Sequence, residues 1–319
     1  MENINSGYGM NFIRSALNGV VTSGKVFFVS AVTTGSIIDR IKAMIKPDPE
    51  GVLRFFTSID SAIGSCVASR GDLIIVLPGH TETISSATGL VADVAGVKIV
   101  GIGEGSLVPI LTFDTATTAT IPVSAYNVSF ENIIFSANFA DIVSVFTLTT
   151  AKNFKLKNCK IKATASSMNF LYVVDTSTTN NDADGLTIDG CSWIEPDTAT
   201  ISAVKGDADI DSAVVKNSYF NLGVNTSDLP AIFGMATGKD LTNVVIENND
   251  VIRLNDANPL LVVTDTTTAN TGIIKNNRVR HADTAAELLV TAGTVIGYFD
   301  NKASAVNDGS GFLLPAADS

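Results

Sequence analysis

The chain has 319 residues, 45% hydrophobic but only 7% aromatic and 17% charged, with a formal net charge of −11. Its mean hydropathy is +0.31, enough to bury a large core, while two His and one Trp leave little material for a histidine-based metal site or base stacking, and three Cys exclude a disulfide scaffold. The charge is split: residues 1–70 carry seven Lys or Arg against five acids, +2, and residues 71–319 carry fourteen against twenty-seven, −13, a balance that repels nucleic acid.

No window approaches the roughly eighteen apolar residues of a membrane span, and residues 1–30 lack the charged-then-apolar layout of a secretory leader. The expectation is a soluble protein, neither exported by a cleaved signal nor bound to a membrane, made in a reducing compartment. Residues 1–50 read as an arm: MNFIRSAL and GKVFFVSAV are apolar pieces, GSIIDRIKAMI a short helix and PDPEG a break. The arm carries Arg14, Lys25, Arg40, Lys42 and Lys46 and is expected to attach the protein to a partner. Over 51–70, IDSAIGSCVAS places Ile59, Ala62, Ile63, Cys66 and Val67 on one helical face, with Thr57 or Ser58 as N-cap. That helix is expected to cap a stack beginning with the apolar strand in RGDLIIVLPGHTETI.

From residue 127 onward one pattern recurs without gaps: NVSFENIIF, NFKLKNCKI, GLTIDGCSW, SAVVKNSYF, NVVIENNDV, TGIIKNNRV and IGYFDNKAS. Its anchors are Asn132, Asn158, Gly190, Asn217, Asn248, Asn276 and Asn301, spaced 26, 32, 27, 31, 28 and 25 residues apart. Asn and Gly are the residues that most readily take left-handed backbone angles, so the anchor predicts a bend between two strands. Two residues before it every copy is apolar. Three after it every copy is apolar until Ser304. The residue just before the anchor alternates in sign: Glu131, Lys157, Asp189, Lys216, Glu247, Lys275 and Asp300. Stacking of successive copies at the inter-strand spacing of about 4.8 Å turns that column into an exposed ladder of opposite charges.

A second apolar strand lies between anchors, in DIVSVFTL, MNFLYVVD, TATISAVK, PAIFGMA, PLLVVTD and AELLVTA, each followed by a turn rich in Thr, Asp, Asn or Gly. About three short strands per coil predict an all-β fold, a right-handed parallel β-helix of about eight coils over 71–306, with a tail at 307–319.

These coils resemble the pectin-lyase-like right-handed β-helix superfamily over roughly 70–304. That superfamily holds polysaccharide lyases, polygalacturonases and phage tailspikes. GVLRFFTSIDSAIGSCVASRGDLIIVLPGHTET is similar to the opening of β-helix virion proteins of tailed phages. The resemblance implies a non-enzymatic virion structural protein, a capsid decoration or cement protein on the virion surface, assembled in the host cytoplasm. Its implied partners are capsid shell proteins and sister subunits, a homotrimer being one arrangement. The alternative is a tailspike or tail-fibre module that binds or cleaves host surface glycan; a free polysaccharide-degrading enzyme stands third. Tailspikes usually continue past the β-helix into a trimerisation domain and free enzymes carry a secretion signal, so both alternatives rank lower.

Asp182, Asp209 and Asp240 share one column eight residues before their anchors, with Asp184 and Asp211 in a second. Stacked carboxylates are the candidate Ca²⁺ or glycan site, although Asp in NNDADG, KGDADID and GKDLTN is also ordinary turn chemistry. No polygalacturonase motif falls on a coil; Arg-Ile-Lys occurs only at residues 40–42, and Arg253, Arg278 and Arg280 give no clear match to the catalytic arginine of pectate lyases. His80, the GIGEG loop and the RGD tripeptide at 70–72 all read as turn residues. No catalytic residue, cofactor or metal is expected. Cys159 and Cys191, each following an anchor, are expected as free inward thiols about 5 Å apart in Cα position.

Overall fold

A computed structural model describes residues 24–32, 34–35, 39, 41–43, 51, 53–195, 199–223, 230–254, 261–263, 269–281, 290–291, 295–305 and 312–313. MNFIRSAL, Arg14, Arg40, Lys46 and most of the tail lie outside them.

The chain winds as a parallel β-solenoid of about eight turns with few helices. Among the described residues three long sheets of eleven, ten and seven strands run along it, and the coils from Ile121 onward contribute to all three. The first sheet holds the strands before the anchors, such as Lys155–Lys157 and Val244–Glu247. The second holds those after them, such as Lys160–Ala163 and Asp250–Arg253. The third holds the intervening apolar strands, such as Ile142–Leu148 and Phe170–Thr176.

Backbone angles explain the corner between the first two sheets. Asn132, Asn158, Gly190, Asn217, Asn248 and Asn276 all have φ between 52° and 65°. A second left-handed column lies five residues earlier, at Asn127, Asn153, Gly185, Ser212 and Asn243. Each strand of the first sheet in these coils is therefore bent at both ends, and its length is fixed. Between the corners the inward residues Phe130, Leu156, Ile188, Val215, Ile246 and Ile274 are buried and join one core that extends from Phe27 to Ala303.

At the N-terminal end, β1 (Val26–Val29) lies in the first sheet between β2 (Phe55–Phe56) and β3 (Leu73–Val76), parallel to both. GKVFFVSAV therefore has a place in the stack, contrary to its reading as part of a free arm. Phe27 and Val29 are fully buried inside, and Phe28 packs outside with Leu73 and Ile75 against Ile41. The helix α1 (Ile59–Ile63) is shorter than the apolar face suggested. Ser58 caps it by accepting from Ser61 N, and Gly64 ends it. Beyond Gly64 the chain turns so that Val67 N donates to Asp72, which leaves Val67 exposed rather than on the helical face.

The last coil corrects the repeat alignment by one residue. Pairing runs Lys275 to Phe299 and Arg278 to Lys302, so Asp300, with φ 54°, occupies the bend and Asn301 follows it. A slip of one residue exchanges the faces of a strand, which is why the expected core line failed at Ser304: Ala303, 1% exposed, is the inward residue. Asn301 instead joins a buried polar column with Ser218, Asn249 and Asn277. Each of their side chains accepts the amide of the coil before: Ser218 Oγ from Cys191 N, Asn249 Oδ1 from Ser218 N, Asn277 Oδ1 from Asn249 N and Asn301 Oδ1 from Asn277 N, at 3.0 to 3.1 Å.

Replacing Asn277 by Ala strands the Asn249 amide and the Ile246 carbonyl and should cost about 1–3 kcal/mol. Asn276→Gly, which keeps the left-handed bend, should shift stability by no more than about 0.5 kcal/mol. Urea midpoints of the two variants check this; equal losses would contradict the distinction between bend and ladder.

Candidate functional site

The charge column is a structural feature of the first sheet. Glu131, Lys157, Asp189, Lys216, Glu247 and Lys275 pair in unbroken register. Each lysine reaches back to the acid of the preceding coil, at 3.5 Å for Lys157–Glu131, 3.8 Å for Lys216–Asp189 and 3.0 Å for Lys275–Glu247. Such exposed pairs contribute about 0–1 kcal/mol each and chiefly discriminate against misregistered stacking. Asp300 is not in the ladder; the exposed Phe299 holds its place.

The aspartate columns tie coils together. Asp209 Oδ1 accepts Asp240 N, Asp182 accepts from Ser177 Oγ, and Asp184 Oδ1 accepts Asp211 N while pairing with Lys152. Asp211 accepts from Thr242 Oγ1, Ser212 Oγ and Asn243 Nδ2, in that order of effect, and these bonds hold its carboxyl below the usual range. The carboxylates point at amides and hydroxyls of their neighbours, and among the described residues no group of three or more His, Cys, Asp or Glu could hold a metal. Cys159 and Cys191 are buried free thiols, and burial pushes Cys159 well up.

The segment around α1 is a polar lock. Fully buried Asp72 accepts the amides of Lys25 and Val67 and both arms of the Arg70 fork, at 2.6 Å. Burial alone would raise its pKa; the Arg70 bonds and the two amides outweigh that and lower it. His80, also fully buried, takes the Ala31 amide on Nδ1 and meets Glu82 through Nε2. Glu82 accepts Ile59 N at the start of α1, and Asp60 accepts Val91 N. RGD and His80 are thus the joints that fasten β1 and α1 to the first coils.

A cluster the sequence did not show lies on the exposed face of the third sheet. Asp175 and Lys205 are register neighbours in adjacent coils. Lys205 Nζ sits 3.3 Å from Asp175 and 2.5 Å from Asp207, with the Tyr172 ring 5.9 Å away. Burial lowers the Lys205 pKa, but the two carboxylates more than reverse that; burial dominates at Asp175 and raises it. Lys205 is a pinned cation, fit to orient a bound hydroxyl or carboxylate and unfit to accept a proton at neutral pH. The signal that would have found it is a lysine aligned over an aspartate one coil earlier, visible only after the third-sheet strands are registered.

No family model matches the chain and no curated protein matches its sequence. Among solved structures it resembles an alginate lyase from Paenibacillus sp. str. FPU-7, with 12% identity, a TM-score of 0.43 and coverage of 82% of this chain and 95% of that one. It also resembles a rhamnogalacturonan lyase, with 11% identity, a TM-score of 0.40 and 83% of each chain covered. These likenesses concern the fold alone. The expectation that the chain is not an enzyme is corrected: it rested on missing polygalacturonase and pectate-lyase motifs, and both of these neighbours are lyases.

Two changes test the electrostatics. Asp72→Asn should cost about 2–3 kcal/mol at neutral pH, because charge-assisted bonds are lost in a buried site. Since the native pKa is depressed, that stabilisation is present above about pH 4 and fades as pH falls further, so the gap between variant and parent in denaturant midpoint should close in acid. Lys205→Met should also lie furthest below the parent at neutral pH, but there it is the variant that changes in acid. Asp175, already raised, loses its counter-charge, so the variant should be weakest at neutral pH and recover as Asp175 takes up a proton.

Proposed function

We propose that this chain is a structural protein of a tailed-phage particle, a decoration protein standing on the capsid surface, built on a right-handed β-helix whose N-terminal end is closed by the α1 segment. What supports the reading is the segment 51–83, whose residues carry the resemblance to the opening of β-helix virion proteins on which the expectation rests. Its polar residues Asp60, Arg70, Asp72, His80 and Glu82 are used in joining α1 and β1 to the solenoid. Such a segment serves as a building module. The right hand is the one that twisted parallel strands favour in crossover connections.

The attachment end in this reading is the N-terminal one, where the partners are shell proteins and sister subunits. Val32, Leu53 and Val67, in the segments flanking β1 and α1, are 52%, 38% and 51% exposed, and β2 lies at the outer edge of the first sheet. Because β1 is part of the stack, the arm is tested by a cut before it. A chain beginning at Gly24 should keep its β-rich spectrum and fail to rebind particles stripped of the protein. One beginning at Pro49 should in addition lose stability, since Phe27 and Val29 leave the core.

Electron microscopy of intact particles labelled with antibody against this chain should place the label over the shell. Label at the tail tip would replace this reading with the tailspike one, and particles without the protein would end both.

A further inference from the structure

The outer face of the first sheet changes character along the stack. Over the first coils it holds a separate apolar cluster, Leu73, Ile75 and Val100, against which Ile41 packs. The outward row that follows reads Ser129, Lys155 and Thr187 and then, in unbroken register, Val214, Val245 and Ile273. In the last coil the row reaches Gly297, and the Phe299 ring lies over that glycine, so close that an added Cβ would meet Phe299 Cε2 at 2.9 Å. Val214 and Val245 are half-buried, while Ile273 and Phe299 are 40% and 57% exposed. The C-terminal half of the sheet therefore carries an apolar strip on its outer face. The ladder of Lys216, Glu247 and Lys275 runs directly beside it.

Two such rows are complementary to themselves. A two-fold axis lying along a strand sets each row against its own copy and reverses the order of the coils. Because the ladder alternates in sign, an axis that passes between two coils then puts every acid of one copy against a lysine of the other. An axis along the stack would instead bring together like charges, or a charge and a valine. We propose that this face joins two copies of the chain antiparallel, about a two-fold axis between the coils of Glu247 and Lys275. Glu247 then meets the partner's Lys275 and Val245 the partner's Ile273, each contact being made twice. Lys216 comes over the partner's Phe299, a cation–π contact at the rung where the alternation of charge ends. An axis one coil nearer the N-terminus would keep the charges paired but set Thr187 on the partner's Ile273, so the apolar strip decides the position. The chain is acidic overall, with a net charge of −11. That repulsion is screened beyond the Debye length of about 8 Å at physiological salt, whereas in contact each charge faces its opposite or a ring. The face lies at the opposite end of the stack from the attachment end, and the pairing is independent of where the protein sits in a particle.

Sedimentation velocity of the purified full chain, at micromolar concentration in physiological salt, reads the pairing. The expected result is a dimer of the 33.3 kDa chain. Ile273→Asp should raise its dissociation constant by about tenfold or more, and Lys155→Asp, on the same sheet but outside the strip, should leave it unchanged. Glu247→Lys and Lys275→Glu should each sediment as monomers, since each sets like charges together twice. An equimolar mixture of those two variants should recover the dimer, which misfolded chains could not do, and circular dichroism confirms that each variant keeps its β-rich spectrum. A monomeric parent overturns the proposal, as does a trimer, a dimer that survives Ile273→Asp, an equal loss in Lys155→Asp, or a mixture that stays monomeric.

Discussion

The left-handed corner is the constraint on which the rest of this molecule depends. Each strand of the first sheet from Ser129 to Lys216 is bounded by two residues of positive φ, Asn127 and Asn132 in one coil, Asn153 and Asn158 in the next. Such angles are costly for branched side chains and free for Gly, with Asn the best tolerated of the rest. Once both corners are set, the number of residues between them is fixed and alternate side chains must point inward. Phe130, Leu156, Ile188 and Val215 then stack on one another because no other register puts them in the core. The loops are free to vary in length, which is why the spacing between bends, counted to Asp300 in the last coil, ranges from 24 to 32.

Polar chemistry in this chain is largely spent on holding coils together. Asp72, Asp209, Asp211, His80 and Glu82 would each attract attention in a search for a catalytic group, yet each is bonded to an amide, a hydroxyl or a fixed cation of a neighbouring segment. A buried polar group must find a partner or cost several kcal/mol. A solenoid offers such partners at regular intervals, one coil away.

The anchors, the charge column and the strand faces were legible in the sequence because their period is short compared with the repeat and their residue types are distinctive. The second left-handed column was equally visible: it is the first letter of NVSFEN, NFKLKN and NVVIEN. The final coil misled because Asp300 and Asn301 both suit a bend, and only the pairing of Arg278 with Lys302 decides between them. The place of β1 was hidden because it precedes its neighbour β2 in sequence and stands inside it in the sheet. The Asp175–Lys205 cluster becomes visible only after the third-sheet strands are registered. Its members are separated by about thirty residues and by turns of unequal length, so sequence distance carries no information about which side chains meet.

The buried column of Ser218, Asn249, Asn277 and Asn301 gives the solenoid a direction. Every side chain in it serves the amide of the coil before it, so the debt always falls on the coil toward the N-terminus. Loss of the last coil leaves the Asn277 amide unserved, loss of the next does the same to Asn249, and erosion begun at that end propagates. The column stops at Cys191, where the side chain is a thiol. Erosion that runs along this column therefore ends midway along the stack, at Cys191.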